Sequence, residues 1–276
     1  MEEETHMDNR PIGFFDSGVG GLTCVRALQK LLPNERVVFF GDTARTPYGS
    51  KSPETIKRFS FQIVDYLMQY DVKMIVIACN TISATCLDAL RERYPQVPIV
   101  GIIEPIANKI VAEVTEDIEI GVIATKATVK SGVYEKLIRP RNEHVKLYSK
   151  ACPVLVPLIE EGIVDNEIMD LTLKHYLDDF IRDNHLKKLV LGCTHYPFLK
   201  KNFGRIYPEI DLLNPSKEVI YEVERILRER DMLADEQNAA EHLCYASDLS
   251  ENFHNVVARV FEDDREVKLE FKKFGD

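Results

Sequence analysis

Hydrophobic positions along the 276-residue chain fall into short runs separated by longer amphipathic stretches. The segments Pro11–Phe15, Val37–Phe40, Met74–Ala78, Ile99–Ile103, Ile120–Ala124 and Leu189–Leu191 are almost continuously apolar. Continuous rather than alternating apolarity predicts strands covered on both faces, as in a parallel sheet. Between the runs, Ser52-Pro53-Glu54 has an N-cap residue followed by proline at the first helical position, and it opens a predicted helix through about Gln69. Further helices are predicted over 82–94, stopped by Pro95, and over about 166–183 and 216–230, with a late strand at Val267–Phe271. Strand and helix alternate, so the predicted class is α/β with doubly wound, parallel-rich sheets.

A faint internal repeat sharpens this. Ile12-Gly13-Phe14-Phe15-Asp16-Ser17 matches Ile120-Gly121-Val122-Ile123-Ala124-Thr125, an offset of 108 residues. Ile75-Val76-Ile77-Ala78-Cys79-Asn80-Thr81 matches Leu189-Val190-Leu191-Gly192-Cys193-Thr194-His195, with the two cysteines offset by 114. Two correspondences in the same order imply two similar α/β halves, each ending a strand in a cysteine. The expected division is residues 1–100 plus 215–276, carrying Cys79, and residues 101–214, carrying Cys193. Ligands of open α/β sheets bind outside the carboxyl ends of strands, so the seam between the halves is the expected site.

Composition narrows the function. The formal net charge of −10 argues against broad contact with nucleic acid or an anionic membrane, though not against a small anionic substrate. The start Met1–His6 is acidic and polar, unlike a signal peptide, and no apolar run approaches the roughly 20 residues of a membrane span. Six scattered cysteines without a Cys-x-x-Cys pair fit a reduced, cytoplasmic setting and no structural zinc.

Two thiols on opposite walls of a pocket suit one chemistry in particular. Inverting a stereocentre needs a proton taken from one face of a carbon and another delivered to the opposite face. A thiol, with an ordinary pKa near ~8.5, serves as base or acid near neutrality after modest tuning. A lone cysteine after a strand is ordinarily a small buried core residue, and Cys24, Cys86, Cys152 and Cys244 are read that way. Cys79 and Cys193 differ because both precede small polar residues at strand-to-helix junctions, where free backbone N–H groups favour negative charge. Asn80, Thr81 and Thr194 are candidate donors to a substrate carboxylate, and His195 a candidate partner of Cys193. Asp16-Ser17-Gly18-Val19-Gly20-Gly21 lacks a P-loop's Gly-Lys-Ser/Thr and the spacing of a dinucleotide fingerprint, so Asp16 and Ser17 read as site contacts instead.

These segments resemble the glutamate racemase family from about Ile12 to Ser216. The likeness is carried by Phe14-Phe15-Asp16-Ser17-Gly18-Val19-Gly20-Gly21, Phe40-Gly41-Asp42, Pro47-Tyr48-Gly49, Ala78-Cys79-Asn80-Thr81, Ile103-Glu104-Pro105, Ala151-Cys152-Pro153 and Leu191-Gly192-Cys193-Thr194-His195-Tyr196-Pro197. The resemblance implies two α/β domains enclosing the site, no metal, pyridoxal phosphate or nucleotide, and a homodimer that supplies D-glutamate for peptidoglycan. It implies that Cys79 exchanges the Cα proton with D-glutamate and Cys193 with L-glutamate. Asp16 would assist the first thiol, and His195, oriented by Glu160, the second. Ser17, Asn80, Thr81 and Thr194 would hold the amino-acid head group. Backbone N–H groups of Tyr48 and Gly49 would receive the side-chain carboxylate, with Thr125 and Thr128 turned toward the pocket.

Alternatives from the same superfamily are an aspartate or hydantoin racemase, which would differ around Tyr48 and Thr194. From other classes they are a binding protein on this fold, whose expected mark is loss of a thiol, and a cofactor-dependent enzyme. The short acidic N-terminus does not resemble the long extension of relatives that depend on a cell-wall precursor.

Overall fold

The computed structural model describes residues 7–236, 238, 242–249, 254, 257, 258, 260 and 268–272. The acidic start Met1–His6 and Val267, the first residue of the late strand expected from sequence, lie outside them.

Two parallel sheets organise the chain. The first contains β1 (Ile12–Asp16), β2 (Val37–Gly41), β3 (Met74–Ile77), β4 (Ile99–Gly101), β9 (Leu243–Ala246) and β10 (Lys268–Phe271), in the order β10-β9-β2-β1-β3-β4. The second contains β5 (Ile118–Ala124), β6 (Val145–Ala151), β7 (Lys188–Gly192) and β8 (Asp211–Leu213), in the order β6-β5-β7-β8. Every described pairing is parallel. The order 2-1-3-4 recurs as 6-5-7-8, and β1 and β3 correspond to β5 and β7, the strand pairs matched in the sequence repeat.

Burial explains the apolar runs. Ile12 and Phe14 of β1 face a core shared by both sheets, while Phe15 faces a second core against α2 (Pro53–Leu67) and α3 (Asn80–Arg93). The shared core takes Ile120, Val122 and Val190 from the second sheet and Val219, Val223 and Leu227 from α10 (Pro215–Glu229). The third core covers the outer face of the second sheet, with Ile123, Leu189 and Leu191 against α8 (Glu167–Asp183). Each sheet is thus covered on both faces.

Local chemistry sets the helix ends. Ser52 caps α2 by accepting a hydrogen bond from the Thr55 N–H at 3.3 Å, with Pro53 in the first turn. The structure corrects two boundaries. α3 begins at Asn80 rather than 82, which puts Cys79 at its N-cap and Asn80 and Thr81 in its first turn. β4 ends at Gly101, and Ile103 already opens α4 (Ile103–Glu113). Pro105 fits there because the first turn of a helix leaves its N–H groups unbonded.

Candidate active site

Both cysteines stand at carboxyl ends of central strands. Cys79 follows β3 by one residue and Cys193 follows β7 directly. They line one cavity of about 130 Å³, together with Ser17, Tyr48, Gly49, Asn80, Thr81, Thr125, Thr194 and His195. Thr46, Pro47, Ser50, Lys126, Cys152, Pro153, Val156 and Pro157 complete its wall. A larger cleft of about 500 Å³, bordered by Arg91, Glu104, Arg141 and Arg230, contains neither thiol and none of the expected site residues.

Asp16, Glu160 and Thr128 stand one layer behind the cavity. The fully buried Asp16 accepts hydrogen bonds from the Ser17 N–H at 2.8 Å and the Gly21 N–H at 2.6 Å. Its Oδ2 also accepts from the Thr194 hydroxyl at 3.3 Å, across the seam. Ser17 Oγ lies 3.4 Å from Cys79 Sγ. Burial, and after it the Asp16 charge, push the Cys79 thiol well above its ordinary pKa, against bonding from Ser17 and the backbone of Ile82 and Ser17. Cys79 is therefore a thiol in the ligand-free site, and a bound ammonium group would move it toward the thiolate.

The second thiol has a different neighbour. Cys193 Sγ is 3.8 Å from His195 Nδ1, and His195 Nε2 is 3.2 Å from Glu160 Oε1 at the end of α7 (Leu155–Glu160). Burial by itself would lower the His195 pKa, but Cys193 and Glu160 hold it well above its ordinary value.

Threonine hydroxyls bridge the halves. Thr81 Oγ1 is 2.9 Å from Thr125 Oγ1, which is 3.1 Å from Thr128 Oγ1. Thr125 also caps α5 (Lys126–Ser131), accepting from the Thr128 N–H at 3.3 Å. Tyr48 lines the wall, and its hydroxyl donates to Asp42, where Arg45 Nε also donates at 2.7 Å and Ser247 Oγ at 2.8 Å.

Gly20 and Asp42 shape this site without a role assigned from sequence, and Gly49, expected there for its backbone N–H, has a second role. A Cβ on Gly20 would sit 2.4 Å from Thr194 Oγ1, and one on Gly49 would sit 2.7 Å from Thr125 Cβ. Both glycines allow the halves to meet, a need that appears only once the facing segments are in place. Asp42 lay inside a quoted motif without a role. Cys152, read as structural, is a wall residue whose thiol burial pushes up to about 12.

The chain matches the Asp/Glu/Hydantoin racemase family over residues 22–215. It belongs to that family. A glutamate racemase from Geobacter metallireducens is 43% identical over 269 residues, covering 96% of this chain and 98% of the relative. The crystal structure of glutamate racemase from Francisella tularensis in complex with D-glutamate superposes with a TM-score of 0.87 at 37% identity, covering 96% of this chain and 98% of that one. The Escherichia coli glutamate racemase, in complex with L-glutamate and the activator UDP-MurNAc-ala, superposes with a TM-score of 0.78 at 27% identity, covering 96% and 98%. Among the described residues, no group of three or more His, Cys, Asp or Glu has metal-holding geometry, and no helix is long and apolar enough to cross a membrane.

Proposed function

We propose that this chain is a glutamate racemase that inverts Cα by a two-thiol proton transfer without a cofactor. The observation that carries the reading is that Cys79 and Cys193, from different sheets, line the same cavity. Cys79 exchanges the proton with D-glutamate and Cys193 with L-glutamate. Asp16 holds the Ser17 turn beside the first thiol, and Glu160 holds His195 beside the second. Ser17, Asn80, Thr81 and Thr194 hold the head group, while the Tyr48–Gly49 backbone takes the distal carboxylate beside Thr125, which Thr128 supports. That relatives of high coverage carry D- and L-glutamate in their structures supports the choice of substrate.

The same reading places the enzyme in the cytoplasm as a homodimer that supplies D-glutamate for peptidoglycan. Residues 1–100 with 215–276 and residues 101–214 act as two units closing on the substrate. The test is circular dichroism of L-glutamate, and in parallel L-aspartate, incubated with purified protein and no added cofactor. Decay of the L-glutamate signal to zero with the amino acid intact is expected. An unchanged glutamate signal contradicts the reading, and decay with aspartate alone moves it to the aspartate branch.

A further inference from the structure

Asn80, the residue after Cys79, lines the cavity and is 2% exposed, yet its amide nitrogen has no acceptor among the described residues. A buried N–H pair without an acceptor is costly, and the cost is removed when a ligand oxygen supplies the missing bond. What decides where this amide points lies on the other half of the molecule. Tyr134, on α6 (Val133–Ile138), is 2% exposed, and its hydroxyl donates to Asn80 Oδ1 at 2.9 Å.

No other hydrogen bond of that hydroxyl exists among the described residues, and a buried tyrosine O–H needs an acceptor. Turning the amide over would set Nδ2 against the hydroxyl and leave the O–H hydrogen without an acceptor. The tyrosine therefore fixes the amide with its oxygen outward to Tyr134 and its nitrogen unspent. Burial, and after it the charge of Cys193, hold the Tyr134 hydroxyl far above its ordinary pKa, so it stays a donor across the working pH range.

We propose that Tyr134 is a positioning residue for substrate binding, which orients the Asn80 amide as a donor to a substrate carboxylate and does so across the seam between the two sheets. The inference rests on the glutamate racemase reading. It also ties donor geometry to closure, because Tyr134 and Asn80 meet only when the halves are together.

The test is steady-state racemisation by wild type, Tyr134→Phe, Asn80→Ala and the double variant. Phenylalanine keeps the ring and removes only the hydroxyl. A carboxylate held alike in ground state and transition state affects KM more than kcat. Tyr134→Phe is expected to raise KM for glutamate about tenfold with kcat within about twofold. In the Asn80→Ala background the same change is expected to leave KM unaltered, since both substitutions remove one interaction. A Tyr134→Phe enzyme with wild-type KM, or one whose KM rises equally in both backgrounds, overturns the inference while the racemase reading stands. A wild type that does not racemise glutamate overturns both.

Discussion

Asp16 Oδ2 and Thr194 Oγ1 are 3.3 Å apart, so a buried carboxylate at the end of β1 accepts a hydrogen bond from a residue beside the opposite thiol. Burial raises the pKa of Cys79 most, and the charge of the same carboxylate raises it further. One side chain thereby joins the two walls and adds to what keeps the first thiol protonated.

The two roles of Asp16 separate in an Asp16→Asn variant. Removing its charge lowers the Cys79 pKa, while the bonds to Ser17, Gly21 and Thr194 weaken. In a Cys193→Ser background, alkylation of Cys79 at about pH 8 is expected to accelerate on introducing Asp16→Asn. In the parent chain the same substitution is expected to slow racemisation by at least about tenfold. Unchanged alkylation would show that the Asp16 charge does not act on the thiol.

The approach of the halves depends on the missing side chain of Gly20. Its Cβ would meet Thr194 Oγ1 at 2.4 Å and His195 Nδ1 at 2.8 Å, so Gly20→Ala forces the walls apart. A fall of about a hundredfold in kcat/KM is expected, consistent with the sensitivity of positioned groups to a 1 Å shift. Near-wild-type kcat/KM would mean that this contact is dispensable.

The raised pKa of His195 makes a linkage prediction. A group that gains a proton on folding stabilises fully below its unfolded value, near 6.5, and loses that contribution as pH rises through the raised folded value. The difference in melting temperature between wild type and His195→Asn is therefore expected to be largest at about pH 6 and to shrink toward about pH 9. A difference constant across that range contradicts a charged imidazole between Glu160 and Cys193.

Away from the site, Lys73 is fully buried and pairs with Glu35 at 2.7 Å, donating also to the carbonyls of Asp8 and Met232. Glu35 in turn accepts from the Ala234 N–H at 2.9 Å, so the pair ties the first sheet to the chain after α10. Lys73→Met leaves a buried carboxylate uncompensated and is expected to cost about 3–5 kcal/mol in urea unfolding, with KM and kcat near wild type at low temperature. A loss under about 1 kcal/mol would contradict this role.

The central strands were legible because burial on both faces makes them continuous apolar runs. The edge strand β6 was not, since Lys146 and Lys150 break its apolarity and its burial falls off toward the end, as suits an edge. The first turn of α4 read as strand because Ile102 and Ile103 continue the apolarity of β4. The thiols were legible from the repeat, and their flanking polar residues came with them. Tyr134 was not, because it acts through Asn80 from 54 residues away, and nothing near it in sequence marks a hydroxyl that orients an amide. Gly20 was visible only as a member of a glycine loop. Its close approach to Thr194 depends on tertiary placement.

Under the proposed two-thiol mechanism each thiol serves one face of Cα. Cys79→Ser and Cys193→Ser should be assayed separately for racemisation of L- and D-glutamate by circular dichroism, with folding checked in the far ultraviolet. Each folded variant is expected to lose essentially all racemisation in both directions, because inversion needs a base on one face and an acid on the other. A folded single variant that racemises at near the wild-type rate would contradict the two-thiol mechanism.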